Sequence, residues 1–220
     1  MKTIGAITIG QTPRDDVVGE MEKILGAEVR VRQAGALDHL TRADIDALRP
    51  TSDDDALITH LRDGSDVVIG KSRIIPRLQA CLDDLGADVD ASVILCVGVF
   101  PPFRAARPVL LPDRCMAAAA AALFDGRRLG VIVPIAEQRE SYTARWSRVD
   151  PKVTVVVASP YEDPSRLVAA AERLRQAGVS LVAMECMGFT GAMKQIVRDV
   201  SGAPALLPAS VVARFLAEAA

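Results

Sequence analysis

Short apolar runs rich in β-branched residues alternate along this chain with longer stretches whose apolar positions recur every three or four residues. TIGAITI (3–9), EVRVRQ (28–33), DVVIG (66–70), SVILC (92–96), VTVVVAS (153–159) and SLVAMEC (180–186) read as strands, and GRRLGVIVP opens another. After the first of them, Val17, Val18, Met21 and Leu25 repeat at helical spacing, with Thr12 as the expected N-cap and Pro13 at the first helical position. Asp15 suits the first turn of that helix. KSRIIPRLQACLDDLGA predicts a helix burying Ile74, Ile75, Leu78, Cys81, Leu82 and Leu85, with Ser72 as a plain N-cap reading. Residues 53–62 read as a polar-faced helix, 114–124 as an alanine helix, and 164–177 as a further helix. Thr41 and Asp44 carry a capping-box-like signal. MKQIVRDV and SVVARFLAEAA are the last helices. Strands alternating with helices predict a mostly parallel α/β architecture, in which ligands bind beyond the carboxyl ends of the strands.

A weak internal repeat refines this. KTIGAITIG near the start resembles RRLGVIVPI from residue 127, and each opens a series that closes on a strand ending in cysteine and a glycine turn. The first series is longer by an insertion over roughly residues 35–65. The plan is two similar lobes, 1–113 plus 207–220 and 114–206, with the last helix returning to the first lobe.

Composition narrows the partners. With 220 residues and a net charge of -2, the chain carries no basic stripe for a phosphate backbone. One Trp, two Tyr and five Phe make a poor base-stacking platform, so nucleic acid is not an expected partner. No run reaches the roughly 18 apolar residues of a membrane span, and no signal peptide is visible. The expected compartment is the cytoplasm, where thiols stay reduced. Four cysteines without CxxC spacing and two histidines, His39 and His60, argue against a metal centre. No GxSxG appears, so a serine hydrolase is unsupported.

The chemistry-bearing candidates are Cys96 in ILCVGVF and Cys186 in MECMGFTG. Each closes an apolar strand, one residue before a glycine (Gly98, Gly188) that also suits a plain turn. Cys81 and Cys115 fall on helices among apolar residues and read as core. The strand-end loops GQTPR, GKSR and PIAEQ bring Arg14, Arg73, Pro134 and Glu137 toward the same crevice. The two arginines are candidate holders of a substrate carboxylate, or ordinary surface charges, and Glu137 also suits a helix start. A thiol on each side of one carbon allows one to remove a proton and the other to return it.

The stretches ITIGQTPRDDV, GKSR, ILCVGVFP, GVIVPIAEQ and MECMGFT, in this order over nearly the whole chain, resemble the AroM family of the aspartate/glutamate/hydantoin racemase superfamily. The resemblance implies two flavodoxin-like lobes related by a pseudo-twofold axis, with the site between them. It implies a catalytic cysteine pair at Cys96 and Cys186 and no metal or organic cofactor. It also implies binding loops at Thr8 to Arg14, which include Gly10 and Gln11, and around Ser72 and Arg73. Amino-acid racemases of the superfamily follow the first cysteine with Asn-Thr and the second with Thr-His. Here the positions are Val97 and Gly98, and Met187 and Gly188. Cys-Met-Gly is closer to the Cys-Ala-Gly of hydantoin racemases. The expected ligand is therefore a small anionic or cyclic-amide metabolite, and the expected activity is cofactor-independent racemisation or isomerisation. A maleate-isomerase- or arylmalonate-decarboxylase-like cysteine enzyme and a non-catalytic metabolite-binding or accessory protein are the alternatives. A dimer is common in such folds.

Overall fold

The structure, a computed structural model, describes residues 1–219; Ala220, the last residue of the expected 207–220 segment, lies outside the described residues. In chain order the elements are β1 (Lys2–Thr8), α1 (Asp15–Leu25), β2 (Val29–Gly35), α2 (Arg42–Asp46), β3 (Ala56–His60), β4 (Asp66–Gly70), α3 (Lys71–Leu85), β5 (Ala91–Ile94) and β6 (Val109–Leu110). Then follow α4 (Pro112–Leu123), β7 (Leu129–Val133), α5 (Arg139–Trp146), β8 (Thr154–Val157), α6 (Pro164–Gln176), β9 (Leu181–Met184), α7 (Gly191–Ser201), β10 (Ala205–Leu206) and α8 (Pro208–Ala219). Among the described residues no helix is long and apolar enough to cross a membrane.

Two four-stranded parallel sheets repeat one plan. The first runs β2-β1-β5-β6 and the second β8-β7-β9-β10. The opening strand of each half is central, its second strand lies on one side, and its cysteine-bearing strand lies on the other. The insertion in the first half is α2 and an antiparallel hairpin of β3 and β4, in which Ala56 pairs with Gly70 and His60 with Asp66.

Strand alternation divides the apolar residues between cores. Ile4 and Ala6 of β1, Ala91 and Val93 of β5, Leu129, Val131 and Val133 of β7, and Leu181 and Ala183 of β9 share one core. Val17, Val18 and Met21 of α1, Met116 and Ala120 of α4, Trp146 of α5, and Val212 and Leu216 of α8 complete it. The opposite face of the first sheet packs Ile7 and Ile94 with α3 and the hairpin. The opposite face of the second sheet packs Ile132, Val182 and Met184 with α6 and α7. Helix α8 packs on α1, α4 and β5, and α4 packs on β9 and β10.

Three local expectations are corrected. Residues 53–62 form one 3-10 turn (Asp53–Asp55) followed by strand β3. Leu57, Thr59 and Leu61 are buried while Ile58 and His60 are partly open, which is a period of two masked by the preceding acidic run. Helix α1 begins at Asp15 with Arg14 at its N-cap, not at Thr12. Thr12 is held elsewhere: its N–H and hydroxyl donate to Asp38 at 2.7 and 2.9 Å, and its bond to Pro13 is cis. Helix α3 has Gly70 at its N-cap, and Ser72 lies inside the first turn. The Ser72 N–H donates to Asp55 Oδ1 at 2.7 Å, so a carboxylate from before the hairpin does the capping.

Gly5 of β1 and Gly130 of β7 are counterparts in the two sheets. Each faces the outer core at the point where a helix leucine presses on the sheet. A Cβ would stand 2.9 Å from Leu85 Cδ1 at Gly5 and 2.9 Å from Leu174 Cδ2 at Gly130. Gly130→Val is expected to destabilise the fold by about 1–3 kcal/mol through overpacking, seen as a lower urea midpoint at unchanged slope. An unchanged midpoint would show that α6 does not press on β7 as described.

Candidate active site

The equivalence of the two halves is fixed by hydrogen bonds, residue for residue. Leu95 N–H donates to Ile7 O at 2.7 Å, and Glu185 N–H donates to Ile132 O at 2.8 Å. Ile7 and Ile132 pair with Ile94 and Met184 in register. Cys96 is therefore the counterpart of Cys186, Val97 of Met187, and Gly98 of Gly188.

These two turns, with the ends of β1 and β7, the hairpin and the loop after β8, enclose one cavity. Its wall includes Arg14, Thr59, Cys96, Val97, Gly98, Pro134, Gln138, Tyr142, Tyr161, Glu185, Cys186, Met187 and Gly188. The free space is ≈ 20 Å³, room for about one water. Contacts that join the halves here are Gln138 Nε2 to Ala56 O at 3.0 Å and Tyr142 hydroxyl to Val97 O at 3.2 Å.

Both thiols are half-buried. Burial pushes Cys96 up to about 12; the Gly98 N–H, 3.4 Å from its sulfur, opposes this, and neighbouring Cys186 adds to it. Burial pushes Cys186 up to about 11, opposed by the Gly188 N–H, by Arg14 and by the Tyr161 hydroxyl. Arg14 and the Tyr161 hydroxyl act on the second thiol, whereas the more distant Lys71 charge is the cation that acts on the first.

Arg14 is committed. Its Nε and Nη2 donate to the Asp16 carboxylate at 2.9 and 2.7 Å, and Nη2 also donates to the Tyr161 hydroxyl at 3.1 Å. Burial alone would lower the Arg14 pKa; the bonds to Asp16 and Tyr161 outweigh it and raise it. A second cation, Arg145, stands between the two cysteine turns. It donates to Asp113 O at 2.8 Å, to Glu185 Oε2 at 3.2 Å and to Val97 O at 3.5 Å, with its guanidinium over the Tyr142 and Trp146 rings. Burial pushes Glu185 up to about 7 against the pull of Arg145. The Trp146 indole N–H pulls in the same direction as Arg145 without meeting hydrogen-bond geometry. Asp113 is raised as well, first by burial. Glu185 Oε1, Gln138 Oε1 and Thr59 Oγ1, all on residues of the cavity wall, have no hydrogen-bond partner.

Of the residues singled out in the sequence, Cys96, Cys186, Arg14, Val97, Gly98, Pro134, Met187 and Gly188 share the cavity wall. The others lie off it. Thr8 is buried and its Oγ1 accepts from Gly10 N–H at 3.1 Å, shaping the turn after β1. Gly10 packs closely on Thr59. Gln11 accepts from Arg62 N–H at 3.0 Å and so braces the hairpin. Ser72 is engaged with Asp55, Arg73 is exposed at the start of α3, and Glu137 is exposed in a single 3-10 turn. Cys81 and Cys115 pack in the cores.

Thr59, Gln138, Tyr142, Arg145, Tyr161 and Glu185 escaped the sequence reading. Two signals were present. Gln138 and Glu185 are each one residue from a residue named in the PIAEQ and MECMG stretches. Tyr161 follows the strand VTVVVAS, whose carboxyl end faces the same crevice as the others.

A family model described as AroM protein matches residues 4–220. A search of curated proteins by sequence finds no match. Among solved structures, the chain is similar to allantoin racemase from Pseudomonas fluorescens, with a TM-score of 0.65 and 12% identity over 98% of this chain and 89% of that one. It is similar to maleate isomerase from Pseudomonas putida, with a TM-score of 0.62 and 14% identity over 99% and 93%. It is also similar to glutamate racemase from Aquifex pyrophilus, with a TM-score of 0.60 and 15% identity over 98% and 83%. At these identities the likeness shows the fold, and it is the two-lobed racemase fold.

Glu185 makes a pH prediction. Its pKa rises from 4.5 to about 7 on folding, so between those values the folded chain holds a proton that the unfolded chain has lost. Stability from this group is full below pH 4.5 and is lost as pH rises through 7. The loss is on the order of 3 kcal/mol, and Asp113 acts with the same sign. Urea unfolding at several pH values should show a smaller decline for Glu185→Gln than for the native chain. Identical declines would contradict the assignment.

Proposed function

The chain belongs to the AroM family, and from that premise we propose that it is a cofactor-independent racemase or isomerase of a small carboxylate or cyclic amide. Cys96 and Cys186 would be its acid and base. The observation that carries this reading is the pairing of the thiols: counterpart residues of two repeated halves line one cavity. One thiolate takes the proton of a carbon acid, becoming a thiol, while the other thiol delivers its proton to the opposite face and is left as thiolate. The Gly98 N–H is engaged with the Cys96 sulfur and the Gly188 N–H acts on Cys186. They therefore serve the thiolates, and charge developing on the substrate falls to the Thr59 hydroxyl, which has no partner in the fold, while the unpartnered Gln138 Oε1 is an acceptor for a substrate N–H.

Arg14 is spent on Asp16, and Arg73 is remote from the cavity. Within the proposed range this favours a neutral cyclic amide over a free carboxylate, which would find no unpaired cation on the cavity wall among the described residues. We further propose the lobes 1–113 plus 207–220 and 114–206, and a cytoplasmic location suited to free thiols.

The test is proton NMR in D2O with α-amino and α-hydroxy acids, hydantoins and unsaturated dicarboxylic acids. The expected result is loss of a Cα–H signal for one class. Cys96→Ser and Cys186→Ser are each expected to lower interconversion by at least about a hundredfold while leaving one-sided exchange. No loss of signal in any class, or exchange that survives the double alanine variant, would overturn the reading.

A further inference from the structure

Tyr161 stands in the loop after β8, where its N–H donates to Ser159 Oγ at 3.2 Å. Its ring stacks on His60 of the hairpin, with centroids 5.2 Å apart and planes 20° from parallel. Its hydroxyl oxygen accepts from Arg14 Nη2 at 3.1 Å, and Arg14 is itself held by the two bonds it donates to Asp16. A guanidinium only donates, so the single O–H of Tyr161 is not used on Arg14 and is left for another acceptor. The Cys186 turn is the wall beside it. Gly188 lies against the phenol so closely that a Cβ there would stand 2.7 Å from Tyr161 Cζ. The hydroxyl acts on the Cys186 sulfur and opposes the rise that burial imposes on this thiol. Cys96 has no equivalent side-chain donor; its sulfur receives the Gly98 N–H.

We propose that Tyr161 is a catalytic residue whose hydroxyl, fixed by Arg14, hydrogen-bonds the Cys186 thiolate and makes Cys186, not Cys96, the thiol that ionises first. The line Asp16–Arg14–Tyr161–Cys186 then runs from the protein surface to the reacting sulfur. Tyr161 does not itself become the base. Burial, and then the nearby Cys186 charge, hold its own pKa above the ordinary value against the pull of Arg14. It therefore remains a donor throughout. Gly188 is glycine because this phenol occupies the space a side chain would need. The assignment deepens the proposed two-thiol reaction and rests on it for its catalytic meaning, but its test needs no substrate.

The test is alkylation by iodoacetamide at a fixed pH of about 8, with the rate at each cysteine read by peptide mass spectrometry. In the native chain Cys186 is expected to react about tenfold faster than Cys96. Tyr161→Phe keeps the ring and its stack on His60. It is expected to slow Cys186 about tenfold and leave Cys96 within about twofold. An unchanged Cys186 rate in Tyr161→Phe, or an equal fall at both cysteines, would overturn the proposal. So would a native chain in which Cys96 reacts as fast as Cys186, a result that needs no variant. If the effect is selective but no carbon acid exchanges in D2O, Tyr161 keeps its role toward the thiol and the racemase reading falls. If exchange occurs without that selectivity, only the Tyr161 assignment falls.

Discussion

The alternation of side chains along β5 and β9 governs everything built at their ends. Val93, Leu95 and Val97 of the first half, and Leu181, Ala183 and Met187 of the second, enter the core that both sheets share. Each buried aliphatic side chain contributes roughly 1.5–3 kcal/mol, so the register of both strands is strongly held. With that parity set, Cys96 and Cys186 fall on the other face, one residue past the apolar run and at matched distances from the central strands. The thiols owe their pairing to the core.

The two halves differ at the residue that precedes each cysteine. One has Leu95, a normal core residue, and the other has Glu185, a carboxyl in an apolar place. Burying it alone would be costly, and Arg145 with two backbone carbonyls forms the compensating cluster. The cluster is incomplete, since Glu185 Oε1 and Asp113 Oδ1 have no partner. What it achieves is geometric. A single guanidinium binds Val97 O, next to the first thiol, and Glu185, next to the second, and thereby ties the two turns together across the halves. The asymmetry extends to the thiols: Arg14 and the Tyr161 hydroxyl act on Cys186, and the Gly98 N–H is the bond to Cys96, so a pseudo-symmetric fold holds a chemically unequal pair.

Much of this was legible in the chain itself. The strand–helix alternation, the repeat opened by KTIGAITIG and RRLGVIVPI, and the two Cys-x-Gly turns are local patterns, and each became an element where it was expected. The hairpin was missed because an acidic run before β3 imitates a helix surface, while its true partner, DVVIG, reads equally well as a core strand. The loop residues Gln11, Ser72 and Arg73 were plausible by position. Their side chains are claimed by Arg62 and Asp55 or point outward, which is decided by tertiary contacts that no local pattern encodes. Tyr161 and Arg145 reach the site from the second half, across a boundary of more than a hundred residues in the case of Arg14 and Tyr161. Arg145 in addition comes from a helix with a weak apolar pattern, where an arginine reads as surface charge.

The central claim is that Cys96 and Cys186 face one another across a shared space. It is tested most directly by a bifunctional thiol reagent such as dibromobimane, followed by peptide mapping. The account predicts one dominant product, a bridge between the Cys96 and Cys186 peptides, that is absent from either single alanine variant. Singly attached adducts alone, or bridges to Cys81 or Cys115, would show that the two turns do not enclose a common site.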